Sequence, residues 1–203
     1  MKYPDFYDEV EEIVMYDPLS DFLGSFEDGL ITYDYKLIVA AAGHSCPTVA
    51  GAYLMTLKAL KELYKSEIPV RGNLKISFRE AIDDGVAGVI ANVISNITGA
   101  TKISGFKGIA GKFVRHGLMD FNAPISSSAR FTRVDNGKSV DVFYNPSSVG
   151  GDPKMGLLMQ KTIQEEASDD EKLSFKQMWQ ERVKLILIEH SDNSEVIKTE
   201  LLS

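Results

Sequence analysis

The sequence has little cysteine, no long apolar run and no excess of positive charge. Cys46 is the only cysteine, which excludes an internal disulfide and any zinc ribbon or iron–sulfur cluster built from one chain's thiolates. The longest apolar runs, such as residues 37–42, are far shorter than the ~20 residues that span a bilayer. The net charge of −7 argues against nucleic acid as a partner, because phosphate binding requires clustered positive charge.

The N-terminal residues show no signal-peptide pattern, because Tyr3-Pro4-Asp5-Phe6 leads directly into an acidic stretch. We therefore expect no membrane partner and a cytoplasmic location.

The apolar fraction of 44% is enough for a sizeable core. Apolar periodicity and turn signals predict helices at residues 5–15, 19–23, 34–42, 47–64, 86–97, 155–166 and 170–180. For residues 34–42 a strand running through Val39 is the alternative. Strands are predicted at 30–33, 74–79, 109–115, 131–134, 140–143 and 183–189.

These segments mix without a regular βαβ alternation, and Asn136-Gly137 lies between two alternating runs as in a hairpin. The pattern predicts an α+β fold, with a mixed, largely antiparallel sheet and helices packed on it. We expect one domain over residues 1–203, with its core at about 30–145. A helical segment would precede this core at 1–29, and a helix-strand lobe would follow at 150–203.

The most informative segment is Gly43-His44-Ser45-Cys46-Pro47, which joins the single cysteine to one of three histidines. Gly43 suits the end of a helix, and Pro47 suits the first turn of the next. Free N–H groups at the beginning of a helix favour a thiolate. A thiolate beside an imidazole there can hold a borderline metal or form a reactive thiol. A buried structural cysteine beside an incidental histidine is the simpler alternative.

Zinc usually takes three or four protein ligands, so a site at His44 and Cys46 would need more. Spacing alone does not rank the further candidates, which are Glu80, Asp83, Asp84, His116 and a second copy of the chain. For the three acids, capping of the following helix is the simpler interpretation, and a general base is another.

The glycine-rich and basic stretch 102–117 invites comparison with phosphate-binding loops. It lacks the Ser or Thr that would follow Lys112, and no G-x-G-x-x-G is present. A tight turn between helix and strand is our interpretation, with anion contact by Lys107, Lys112 or Arg115 as the alternative.

The run Gly43 to Pro47, a following small-residue helix and Thr98-Gly99-Ala100-Thr101 together resemble the FmdE family, which takes its name from a component of formylmethanofuran dehydrogenase. The resemblance covers roughly residues 32–143. It implies an α+β core, a homodimer and a zinc-type metal, with His44 and Cys46 as metal-site residues.

Three positions depart from the family pattern, in which further histidine and cysteine residues are common. Ala42 stands where family members often have a histidine, and Val89 and Ala100 stand where they commonly have cysteines. The resemblance therefore carries over only His44 and Cys46.

These observations predict a protein that binds a divalent metal, most simply Zn²⁺, through His44 and Cys46. One alternative is an enzyme with Cys46 as nucleophile and His44 as its partner. Another is a non-catalytic accessory protein of a redox or metalloenzyme system, in which the motif only shapes a turn. A homodimer and a small-molecule ligand are further expectations.

Overall fold

Helices and strands alternate irregularly along residues 1–202, which the computed structural model describes. This part of the chain contains six α-helices: α1 (Pro18–Leu23), α2 (Tyr35–Ala42), α3 (Pro47–Tyr64), α4 (Ala87–Thr98), α5 (Met155–Ile163) and α6 (Asp169–Lys184). Short 3₁₀ helices occupy Asp5–Glu9, Glu27–Gly29 and Pro146–Ser148, and a π-helical turn at Leu185–Glu189 continues α6.

The strands form two sheets. They are β1 (Ile13–Tyr16), β2 (Leu30–Tyr33), β3 (Leu74–Phe78), β4 (Met119–Asp120), β5 (Ala129–Arg133), β6 (Ser139–Tyr144) and β7 (Ile197–Leu202). The larger sheet has the order β4-β3-β5-β6-β7, and only the β3–β4 pair is parallel. Strands β1 and β2 form a separate antiparallel pair. The predicted α+β class with a mixed, largely antiparallel sheet is confirmed.

Helix α3 lies at the centre of the core and contacts α4, β6 and β7. Thirteen of its eighteen residues are buried, as expected for a helix that is apolar around most of its circumference. Its beginning is therefore held by packing on several sides, and this is where Cys46 lies.

Helix α2 forms as predicted, and the alternative of a strand through Val39 is wrong. The carboxylate of Asp34 accepts a hydrogen bond from the N–H of Leu37, which caps the helix. Gly43 ends α2 with a φ of 77°, a left-handed conformation that glycine adopts without a steric penalty.

Two predicted elements near the N-terminus and in the basic stretch are wrong. Residues 5–15 form a 3₁₀ helix and then β1, because pairing with β2 competes with the helical spacing of the apolar residues. The segment 1–29 is thus not wholly helical. The predicted strand 109–115 is a tight turn with an isolated bridge between Ile109 and Lys112, since Ala110, Gly111 and Phe113 have positive φ.

The final strand is also displaced from its predicted position. Residues 183–189 continue the helical path of α6, and Val183, Ile186 and Leu187 from this stretch are buried. The strand instead forms at β7, which pairs with β6 and so joins the C-terminal residues to the main sheet. Ser203, which the predicted domain includes, lies outside the described residues.

Within residues 1–202 no helix is long and apolar enough to cross a membrane.

Candidate functional site

Two helix ends meet at the segment that carries the cysteine and histidine. Gly43 ends α2, and Cys46 is the residue that caps the beginning of α3. Pro47 occupies the first turn of α3, as the sequence predicted. The Sγ atom of Cys46 accepts a hydrogen bond from the N–H of Val49 at 3.5 Å. The thiol therefore lies at the N-terminal end of α3, within reach of the first backbone N–H groups of the helix.

The side chains of His44 and Cys46 face each other. The Nε2 atom of His44 lies 3.3 Å from the Sγ atom of Cys46. The Nδ1 atom of the same ring lies 3.1 Å from the carbonyl oxygen of Ala42. A carbonyl only accepts, so this contact places the proton on Nδ1 and leaves the Nε2 lone pair directed at the sulfur. His44 is exposed and Cys46 is half-buried, so the pair is accessible to a ligand.

Ser45, between the two, is buried and forms hydrogen bonds with three side chains. Its hydroxyl is 3.0 Å from the hydroxyl of Tyr35. Its carbonyl accepts hydrogen bonds from the indole N–H of Trp179 at 3.0 Å and from the amide of Gln180 at 3.4 Å. The C-terminal helix α6 thus fixes the backbone that carries His44 and Cys46.

Tyr144 from β6 fixes the other side of the motif. Its hydroxyl donates a hydrogen bond of 2.6 Å to the carbonyl of Pro47. Burial raises the pKa of Tyr144 well above its ordinary value, although the nearby charge of Arg182 opposes the shift. Burial also raises the pKa of Tyr35. Both phenols therefore remain protonated at neutral pH.

The weaker candidate residues lie at separate places in the fold. Glu80 is half-buried after β3, where its carboxylate is 3.1 Å from the guanidinium of Arg79. It lines a small cavity of about 140 Å³ together with Thr48 and Tyr144, next to the beginning of α3. Asp83 and Asp84 are exposed in the turn before α4, and that helix has no side-chain cap. The expected capping by these acids is therefore wrong.

His116 is exposed in the turn before β4. Within residues 1–202 no three His, Cys, Asp or Glu side chains form a group that could hold a metal ion. The structure thus brings His44 and Cys46 together, but it does not add any of the four weaker candidates to them as a third ligand.

The separation of the two donors is nevertheless compatible with a shared metal ion. With Zn–S at ~2.3 Å and Zn–N at ~2.0 Å, two ligands of a tetrahedral zinc lie about 3.5 Å apart. The observed 3.3 Å between Sγ and Nε2 is close to that value. His44 and Cys46 are therefore suitably placed to be two of the zinc ligands, and a complete site needs one or two more.

Arg115, predicted as a possible anion contact, has a different role. Its guanidinium is buried and donates a hydrogen bond of 2.6 Å to the carboxylate of Asp17. Arg115 is therefore already paired within the fold.

The residues that sequence reasoning missed are the anchors: Tyr35, Tyr144 and Gln180. The hydrogen bond from Trp179 to Ser45 was not foreseen either. One signal was present in Gly51, whose missing side chain makes room for the ring of Tyr144. No local sequence pattern links Ser45 to α6, because the two lie far apart along the chain.

The chain matches no protein-family model and no curated protein. Membership of the FmdE family therefore stays a prediction from the motif.

Proposed function

We propose that this protein is a cysteine-dependent enzyme in which Cys46 is the nucleophile and His44 is the general base. The observation that carries the proposal is the 3.3 Å contact between Sγ and Nε2. A nucleophile, a base within reach of it and a third group that orients the base are the usual elements of such a site. Here the carbonyl of Ala42 is the orienting group.

The reaction class that suits this arrangement is acyl transfer from an activated ester or thioester. Cys46 first gives its proton to Nε2 of His44, and the Sγ thiolate then forms a bond to the acyl carbon. The bond from that carbon to the leaving oxygen or sulfur breaks, and the leaving group takes the proton from Nε2. Water or another nucleophile, which gives its own proton to Nε2, then removes the acyl group from Sγ. Thr48 lies in the first turn of α3, where the helix offers its N–H no acceptor, so this group is available to the developing oxyanion.

Incubation with p-nitrophenyl acetate tests this proposal. We expect an acetyl adduct on Cys46 by mass spectrometry, with matching release of p-nitrophenolate. The His44→Ala variant should be acetylated about a hundredfold more slowly, because the general base is lost. His116→Ala removes another exposed histidine, in the turn before β4, and serves as the control. Equal rates for His44→Ala and the wild type would refute the role of His44.

Binding of Zn²⁺ is the second candidate function, and the observation that favours it is the separation of the two donors. His44 and Cys46 would be two ligands, and a second copy of the chain in a homodimer would supply the rest. A zinc ion bound there would act as a Lewis acid or as a structural bridge.

Zinc titration with mass measurement separates the two candidates. Zinc that binds at half a molar equivalent, converts the chain to a dimer and blocks acetylation of Cys46 supports the metal site. The Cys46→Ser variant should then lose both the zinc and the dimer. Acetylation that is equally fast with and without a chelator, in a protein that retains no zinc, rules the metal site out.

Both candidates require a reduced thiol, which agrees with the predicted cytoplasmic location. A non-catalytic accessory protein, the remaining alternative, predicts that Cys46→Ser changes neither acetylation nor metal content.

A further inference from the structure

A cavity of about 590 Å³ lies beside the His44 and Cys46 segment. It is open to solvent between the N-terminal residues and helix α6, and Ser45 forms part of its wall. The volume is within the ~300–1,000 Å³ of cavities that hold small molecules.

Four of the nine residues that line the cavity form two aromatic pairs. Tyr3 and Tyr7 come from the N-terminal segment, with ring centroids 5.7 Å apart. Phe175 and Trp179 come from α6, with centroids 5.8 Å apart. The indole N–H of Trp179 and the hydroxyl of Tyr7 already donate hydrogen bonds to protein atoms, so these rings offer mainly apolar surface. Such a wall suits a flat ring that stacks or packs edge to face.

The charged residues that line this cavity are basic, whereas the whole protein has a net negative charge. Lys2 and Lys176 line it, and among the described residues no Asp or Glu does. Neither ammonium group takes part in an ion pair within residues 1–202. In a chain with net charge −7, two lysines without an acid mark a place that attracts an anion.

We propose that this cavity binds a planar aromatic carboxylate, with its ring against the two aromatic pairs and its carboxylate at Lys2 and Lys176. A ligand packed on Trp179 lies next to Ser45, because the indole N–H donates a hydrogen bond to the carbonyl of Ser45. His44 and Cys46 are the residues on either side of Ser45. Cys46 itself does not line the cavity, so we expect the bound acid to hinder access to Cys46 rather than to be its acyl donor. That effect on acylation rests on the proposed function, whereas binding of the free acid does not.

Titration with 2-naphthoate tests the inference, because Trp179 is the only tryptophan and reports directly from the cavity wall. We expect saturable quenching of its fluorescence. Lys176→Ala should weaken naphthoate binding about threefold, and the double change with Lys2→Ala should weaken it about tenfold, as expected for partly exposed charge pairs. The neutral analogue 2-naphthalenemethanol should bind equally to all three proteins.

Lys172→Ala is the matched control, because Lys172 lies one turn earlier on α6 and does not line the cavity. A linear, non-saturating response to naphthoate would overturn the proposal. The same holds for equal losses in Lys172→Ala and Lys176→Ala, or for an acid and an alcohol that respond alike to the lysine changes.

The Cys46→Ser variant separates this inference from the proposed enzyme. It should bind naphthoate like the wild type, and naphthoate should slow acetylation of Cys46 in the wild-type protein. Binding without any slowing would overturn the assignment of this cavity to the Cys46 site. Failure of acetylation with intact naphthoate binding would refute the enzyme and leave the binding cavity established.

Discussion

Tyr144 contacts helix α3 through both its hydroxyl and its ring. The hydroxyl donates to the carbonyl of Pro47, and the ring occupies the space that a side chain at Gly51 would fill. A residue on the central sheet thus fixes the beginning of the helix that Cys46 caps. At the scale of residues, the position of the His44–Cys46 site therefore depends on single side chains outside that segment.

Tyr144→Phe should lower the free energy of unfolding by about 1 kcal/mol, because one buried hydrogen bond to a carbonyl is lost. Urea unfolding measures the change. Tyr16→Phe is the control, since the hydroxyl of Tyr16 bonds Asp21 at an exposed position and its loss should cost clearly less. A Tyr144 variant as stable as the Tyr16 variant would contradict the described contact.

At the scale of elements, the packing of α3 against β6 depends on the absence of a side chain at position 51 of the helix. A Cβ atom at Gly51 would lie 2.1 Å from the ring of Tyr144, which is far below a normal contact distance. The two elements can approach this closely only because position 51 is glycine.

Gly51→Ala should destabilise the protein by about 1–3 kcal/mol, the usual cost of forcing extra atoms into a packed core. Gly156→Ala in α5 is the matched control, because nothing lies within 4 Å of its added Cβ. The control should be neutral or more stable by about 0.5–1 kcal/mol, since alanine favours the helix. Thermal unfolding of both variants shows whether steric overlap with Tyr144 or the helix propensity of alanine dominates at position 51. A Gly51→Ala variant as stable as the Gly156→Ala control would contradict the close contact with Tyr144.

Elements with local signals were predictable from the sequence. Asp34 and Gly43 define α2 by capping, Pro47 marks the beginning of α3, and Asn136-Gly137 marks the hairpin of β5 and β6. Strand β1 was not predictable in this way, because its apolar residues also fit a helical period and only its partner β2 selects the extended form.

The candidate site shows the same division. The proximity of His44 and Cys46 follows from their spacing and the turn between two helices. The anchoring of Ser45 by Trp179 and Gln180 depends on the path of α6, which no local pattern encodes.

At the scale of the whole molecule, a buried ion cluster connects distant parts of the chain. Asp17 caps α1, and its carboxylate accepts hydrogen bonds from Arg115 at 2.6 Å and Arg71 at 2.9 Å. Arg71 also donates to the carbonyl of Ile97 near the end of α4. Removal of the central carboxylate would leave the buried charge of Arg115 without a partner.

Asp17→Asn should therefore cost about 3–5 kcal/mol of stability at neutral pH, as expected when one partner of a buried pair is removed. Asp84→Asn, at an exposed position, should cost little and is the control. Chemical denaturation measures both. A cost for Asp17→Asn no larger than that of the control contradicts the cluster.

The same cluster predicts a pH dependence. Burial alone would raise the pKa of Asp17, but the hydrogen bond from Arg71 and the charge of Arg115 outweigh it and lower the pKa below its usual value. The carboxylate therefore stabilises the fold at pH values above the pKa of an unfolded aspartate, about 3.9. This contribution is lost as the pH falls through the lower folded-state pKa. Wild type and Asp17→Asn should converge in stability only in that acidic range.

The most direct test of the account is the thiolate absorbance of Cys46, which is unambiguous because the chain has one cysteine. The ultraviolet spectrum of Cys46→Ser is subtracted from those of the wild type and of His44→Ala at neutral pH. If His44 accepts the proton of Cys46, the wild type shows the larger thiolate signal. Equal signals in the two proteins would contradict the pairing of His44 with Cys46.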